Sequence, residues 1–396
     1  MKQFTSRQPI FDKHKIVKAY QINFSAGFSQ YWALATQGLA RQNQTSNLNL
    51  LASNKSMMVH LTEAELTEDI LAYVDQKKFF IDLSHLTEAS PDLLEKCRRL
   101  YHLGYRFCFN DDIFLYEWEA YLPFAKMIKF SISQTPLNTL EPLMPFLKQQ
   151  KTILLADDID NHEQYELCRS LGFHLFRGEF FCKPEIIEHN TLTNDANYVL
   201  SIYTEAMRET FNIKRLAELF AKDLTLTYKL FKYVNACYFN KKESISSIKQ
   251  ALAFLGENAV KKLICIIATT YIQHNKPAEL VTLSISRSRF CESLAANLKL
   301  NPDFAFIVGL FSVLNAILDQ SMENILSKLA LNPSVKTALL SRTNQYGMIL
   351  KICELYEKAQ WSAVNLLAGK MGLDPDILPK IYQESIKSAY IFENLE

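Results

Sequence analysis

Through roughly the first half of the chain, short apolar segments rich in β-branched and aromatic residues alternate with longer stretches whose apolar residues recur every three to four positions. The short segments are 16–24, 56–61, 78–84, 106–110, 126–132, 152–156 and 174–181. Between them, stretches such as 91–104 and 162–172 carry helical spacing and close on a glycine, the usual stop signal of a helix. Alternation of this kind predicts a parallel sheet with covering helices, open or closed into a barrel. After Lys183-Pro184 the pattern changes. A polar stretch leads into segments of helical period at 216–220, 228–234, 248–255, 260–272, 290–298, 304–318 and 348–356. The expected organisation is a β/α domain over 1–187, a linker over 188–199 and an all-α domain over 200–396. No repeat of solenoid period interrupts either half.

Polar residues fall at the trailing ends of the short segments: Gln21, His60, Asp82, Asn110, Asp111, Lys129, Asp157 and Arg177. In a (β/α) barrel those strand ends converge on one face, where sites are built. The alternative is that strands end in polar residues because solvent begins there.

Composition narrows the classes. A chain of 396 residues suits two domains of ordinary size, and 48% hydrophobic with 21% charged residues is the balance of a globular protein. The formal net charge of +1 offers no footprint for nucleic acid or an anionic membrane surface, and neither is expected as a partner. The longest apolar run, 304–318, falls short of the roughly 20 residues that span a bilayer, so it is read as a core helix. The N-terminus lacks a leader-like apolar core. Eight cysteines form no CxxC pair and sit mostly among apolar neighbours, as Cys108 does between Phe107 and Phe109, which suits reduced thiols and a cytoplasmic location.

Several stretches carry a family likeness. SRQPIFDKHKIVKAYQINFS (6–25), VHLT (59–62), FFIDLSHLTEASPDLL (79–94), LGYRFCFNDD (103–112), KMIKFSIS (126–133), ILLADDIDNHEQYELCRSLGF (153–173) and FRGEFFCKPEII (176–187) together resemble an EAL domain. The resemblance implies a TIM-like (β/α) barrel. Active EAL barrels hydrolyse cyclic di-GMP with two divalent metals held mainly by carboxylates. Measured against that pattern, Gln21 replaces the Glu that names the motif, Ser25 replaces a phosphate-contacting Arg, and His60 replaces a metal-binding Asn. Asp82 and Asp157 shorten two Glu, Asn110-Asp111 neutralises the first member of an Asp pair, Lys129 is kept, and Arg177 replaces a Gln. Two lost negative charges and one added positive charge offset metal repulsion poorly. The resemblance therefore implies lost phosphodiesterase activity, no metal or other cofactor, and no binding of cyclic di-GMP. A mixed new metal site of His60, Asp82, Asp111 and Asp157 stands against a drifted pocket as the alternative.

The stretch 213–264, with 287–295, 304–318 and 356–361, resembles an HDOD domain and the helical extension seen in EAL-HDOD proteins. A catalytic HD site needs several His and Asp ligands, whereas His274 is the single histidine between 197 and 396. His274 is read as exposed or capping, Asn235 as a buried amide pinning a helix end, and Gly256 as a helix C-cap. Arg287, Arg289 and Glu292 are read as a solvated ion-pair set. The expected function is a catalytically inactive EAL-HDOD signalling protein that acts through a protein partner in a pathway related to cyclic di-GMP. The alternative is a residual cyclic di-GMP phosphodiesterase or receptor. EAL barrels pair, which leaves a homodimer open.

Overall fold

The structure, a computed structural model, describes residues 4–31, 48–71, 74–135, 140–149, 152–185, 194–208, 212–220, 222–236, 247, 250, 255–271 and 276–393. The chain divides into two compact units. One comprises Met1–Phe181 with Leu355–Ser362, the other Cys182–Glu354 with Ala363–Glu396.

The first unit is a closed barrel of eight strands in sequence order: β1 (Thr5–Asp12), β2 (Val17–Phe24), β3 (Ser56–His60), β4 (Phe79–Asp82), β5 (Arg106–Asn110), β6 (Ala125–Ser131), β7 (Ile153–Ile159) and β8 (Leu175–Gly178). Strands β2 to β8 run parallel, and β1 is antiparallel to both β2 and β8, which closes the cylinder. Hydrophobic patterning predicts seven of these strands; β1 follows from the likeness of the first strand pair. It forms a hairpin with β2, in which the Asp12 carboxylate accepts from the main-chain N–H groups of His14 and Ile16. Period-two alternation then fills the interior. Ile10, Ala19, Met58, Phe80, Cys108, Met127 and Leu155, one from each of β1 to β7, form a buried layer with Ile153 and Leu175 packed against it.

Helix α1 (Pro91–His102) follows β4. Ser90 accepts from the Leu93 N–H at its start, and Leu93, Cys97 and Leu100 form its buried stripe. Helix α2 (His162–Leu171) follows β7, opens on the Asn161 cap and closes on Gly172 at φ 102°. Between β5 and β6 the chain runs through two 3-10 segments, Asp111–Phe114 and Tyr116–Phe124, the second interrupted by Pro123.

The second unit is helical throughout its described residues. Glu257–Tyr271 is buried around much of its circumference, and Ala278–Asn297 packs against Pro302–Phe311. A Cβ added at Gly309 would lie 2.4 Å from the Arg287 carbonyl oxygen, so glycine lets the two backbones meet. Two expectations change here. The run 304–318 is two helices, Pro302–Phe311 and Leu314–Leu318, because the Ser312 hydroxyl bonds the Gly309 carbonyl and Val313 leaves helical geometry. Arg287 is buried, 8% exposed, and donates to the Ser312 hydroxyl at 3.2 Å; the Gly309 approach encloses it. Arg289 and Glu292 do pair, at 2.9 Å, and Glu292 also takes Lys262.

Asn235 lies in Leu224–Ala236, and its side chain lies outside what the structure describes, as does His274 altogether. Gly256 has φ 78° and its carbonyl accepts from the Val260 N–H, so it opens Glu257–Tyr271; the stretch it was expected to close, 248–255, lies outside the described residues apart from 250 and 255. Among the described residues no helix is long and apolar enough to cross a membrane. The barrel followed by a helical domain is the architecture expected from the sequence.

Candidate functional site: the barrel mouth

The inner layer sets the site. Two residues beyond Ala19, Met58, Phe80, Cys108, Met127, Leu155 and Leu175 along the same strands stand Gln21, His60, Asp82, Asn110, Lys129, Asp157 and Arg177. Because side chains repeat faces every second residue, these seven crown the apolar layer at the C-terminal end of the barrel.

Four of them form a tight electrostatic set. Asp82 is fully buried, and its Oδ2 lies 3.3 Å from Lys129 Nζ while its Oδ1 accepts from the Ser84 N–H at 2.9 Å. Burial pushes its carboxyl upward, but Lys129, His60 and the Ser84 hydrogen bonds outweigh that and hold it at about 2. Asp157 is also buried, and Arg177 grips both its oxygens, Nε to Oδ1 at 2.5 Å and an Nη to Oδ2 at 2.6 Å. Lys129 Nζ stands 3.9 Å from the same Asp157 Oδ2, so it bridges the two carboxylates. The Asp158 N–H completes Asp157 at 2.9 Å.

His60 Nδ1 is 3.2 Å from Asp82 Oδ2 but lacks hydrogen-bond geometry to it, and the ring meets His85 edge-on at 5.1 Å. Burial, with the neighbouring cations, drives His60 down to about 4, against the opposing pull of Asp82. It is neutral at neutral pH, so its contact with Asp82 is not an ion pair there. Gln21 is fully buried with neither end of its amide in a hydrogen bond.

The other candidates are not part of this set. Ser25 is exposed and ties the start of β1, exchanging hydrogen bonds with the main chain of Phe4. Asn110 spends its amide on Asp112 at 2.6 Å, and Asp111 accepts from the Thr135 hydroxyl at 3.0 Å. Three contributors escaped the sequence: Ser84, His85 and Gly178. The first two lie two and three residues past Asp82, a signal that only a placed Asp82 makes visible. Gly178 sits at φ 149°, and a Cβ there would fall 2.1 Å from the Ile159 carbonyl oxygen. The pairing of β7 with β8 shifts register between Ala156 and Ile159, with Asp158 at φ 57°. The bulge and the glycine together bring Arg177 onto Asp157.

An active EAL barrel implies two divalent ions. Here the donor chemistry does not fit a pair of dications as arranged: Asp157 gives both oxygens to a guanidinium, and Asp82 faces an ammonium. Among the described residues no group of three or more His, Cys, Asp or Glu is placed to hold an ion. The arrangement sets two cations in the mouth, Lys129 and Arg177, whose positions the two carboxylates lock.

The HDOD domain model matches residues 192–343. Cyclic di-GMP phosphodiesterase CdgJ of Vibrio cholerae is 28% identical over 97% of this chain and 91% of its own length. The uncharacterized protein YuxH of Bacillus subtilis is 25% identical over 98% of both. A solved EAL domain protein of Listeria monocytogenes covers 45% of this chain and 87% of its own at 14% identity, with a TM-score of 0.34. These findings correct one expectation. The substitutions in the crown imply lost phosphodiesterase activity, yet a relative that matches along nearly the whole chain is named a cyclic di-GMP phosphodiesterase.

Proposed function

Because this chain is a two-domain protein of the EAL-HDOD type, belonging to cyclic di-GMP signalling, we propose that it is itself a cyclic di-GMP phosphodiesterase with the barrel mouth as its reaction centre. The observation that carries the reading is the end-to-end similarity to CdgJ, which spans barrel and helical domain alike. The geometry supports it in kind. Hydrolysis adds water across one P–O bond of a doubly anionic ring and opens it to the linear dinucleotide. Negative charge grows on the phosphoryl oxygens on the way. Lys129 and Arg177 supply two cations in a low-dielectric mouth, already oriented by Asp82 and Asp157, so little reorganisation is needed as that charge develops. Neutral His60 offers a ring nitrogen to the water or the leaving oxygen beside them. We place the protein in the cytoplasm, a reading the seven described cysteines, all free thiols, support.

The test is turnover by the purified full chain, with magnesium or manganese and separately with a chelator, followed by chromatography of the linear dinucleotide. Product is expected, and Lys129→Ala should slow it by about 100-fold, the usual cost of one charge-stabilising donor. Absence of product under every condition would reject the enzyme reading. A second reading, a cyclic di-GMP receptor, is favoured by one observation, the two-pronged grip of Arg177 on Asp157. Saturable binding without product would select it.

A further inference from the structure

The crown is closed in charge. Asp82 and Asp157 carry two negative charges, and Lys129 and Arg177 return two positive ones, with Lys129 shared between the carboxylates at 3.3 and 3.9 Å. Arg177 matters most, because it engages both oxygens of Asp157 at once, while Lys129 stands farther off at 3.9 Å. At the same level of the barrel Gln21 is fully buried, on the same strand face as inner-layer Ala19, with its carbonyl oxygen and amide nitrogen both without hydrogen bonds. A buried amide in that state lacks the partners such a group requires. It marks the crown as a place that accepts a further group.

We propose that Arg177 competes with a divalent cation for Asp157 and so determines how tightly the barrel mouth holds metal. The guanidinium is a tethered cation at a carboxylate that would otherwise take a diffusible one. A divalent ion approaching Asp157 must first displace it. With the guanidinium removed, Asp157 becomes a buried anion left with Lys129 at 3.9 Å and the Asp158 N–H, and its freed oxygens suit a hard dication. The inference deepens the phosphodiesterase reading, since it assigns the poor fit of the same mouth for metal to one residue, but its readout is metal affinity rather than turnover.

The experiment titrates the full chain with manganese chloride by calorimetry. Arg177→Gln should bind manganese at least about tenfold more tightly than the unaltered chain, since one buried positive charge has left the site. Adding Asp157→Asn to that variant should erase the gain. Arg177→Lys, which keeps a cation on Asp157, should show none. If Arg177→Gln does not hold its fold without metal, the comparison is made by melting temperature with and without manganese, where a larger rise in the variant than in the unaltered chain supports the proposal. Equal affinity or an equal rise in the two chains overturns it, as does a gain that survives Asp157→Asn. Turnover without a gain in affinity would sink this inference and leave the phosphodiesterase standing; a gain without turnover would do the reverse.

Discussion

Asp82 and His60 stand 3.2 Å apart and answer to pH in different windows. Asp82 has its folded pKa depressed to about 2 from 3.8, so its contribution to stability is complete above the unfolded value and is lost as pH falls through the folded one. His60 is depressed to about 4 from 6.5. Between those values the unfolded chain binds its proton and the folded chain does not, so stability falls as pH drops from neutrality towards 4. Urea unfolding at pH 7.5 and at pH 5 should therefore show a larger loss in the unaltered chain than in His60→Asn. Equal losses would show that His60 is solvated and unperturbed. At this scale the sequence reads Gln21, His60, Asp82, Lys129, Asp157 and Arg177 at or near strand ends, and the structure sets each on its strand two residues beyond the inner layer. The sequence could not separate Asp111 or Ser25 from them, because a neighbour such as Thr135 or Phe4 is chosen by the folded loops.

The element that shapes the crown is the bulge of β7 against β8. Gly178 has φ 149°, and a Cβ would lie 2.1 Å from the Ile159 carbonyl oxygen and 2.4 Å from its nitrogen, both main-chain atoms that cannot swing aside. Gly178→Ala should cost about 3 kcal/mol or more through strain and overpacking, read as a lowered urea midpoint. The same variant should loosen the Arg177 grip, since β8 can no longer seat against the bulge. An unchanged midpoint would show that β8 tolerates the side chain. Strand periods and a helix stop were legible locally: α2 ends at Gly172, the closing glycine of its apolar pattern. The break inside 304–318 was not legible, because its cause is the Ser312 hydroxyl turning back on Gly309 while it accepts from the buried Arg287.

At the scale of the molecule, the barrel unit recruits residues far along the chain. Leu355–Ser362 cluster with the barrel, and there Phe4 stacks on Trp361 at 5.5 Å and meets the buried Tyr356 edge-on at 5.8 Å. A fragment of residues 1–187 would leave Phe4 without these rings. It should melt at lower temperature than the barrel transition of the full chain, or without cooperativity, by circular dichroism. Tyr356→Ala in the full chain should cost about 3 kcal/mol, as truncating a buried ring does. A fragment as stable as the parent would show that the late segment adds nothing. Sequence placed these eight residues in the helical extension, since helical period reports a local face and not the surface that receives it.

Sequence alone determined the order of elements, a β/α half followed by a helical domain, and the polar positions near the strand ends, while the closed barrel was implied by the family resemblance. The order follows from periods of two and of 3.6, which a chain carries before it folds. Tertiary structure alone decided which crown residues neutralise one another. Lys129 reaches Asp82 across 47 residues of chain and Arg177 reaches Asp157 across 20, and both meetings depend on strand register and on a bulge opposite Gly178. A shift of one residue in either strand would turn these side chains to the opposite face, so no local pattern encodes the pairing.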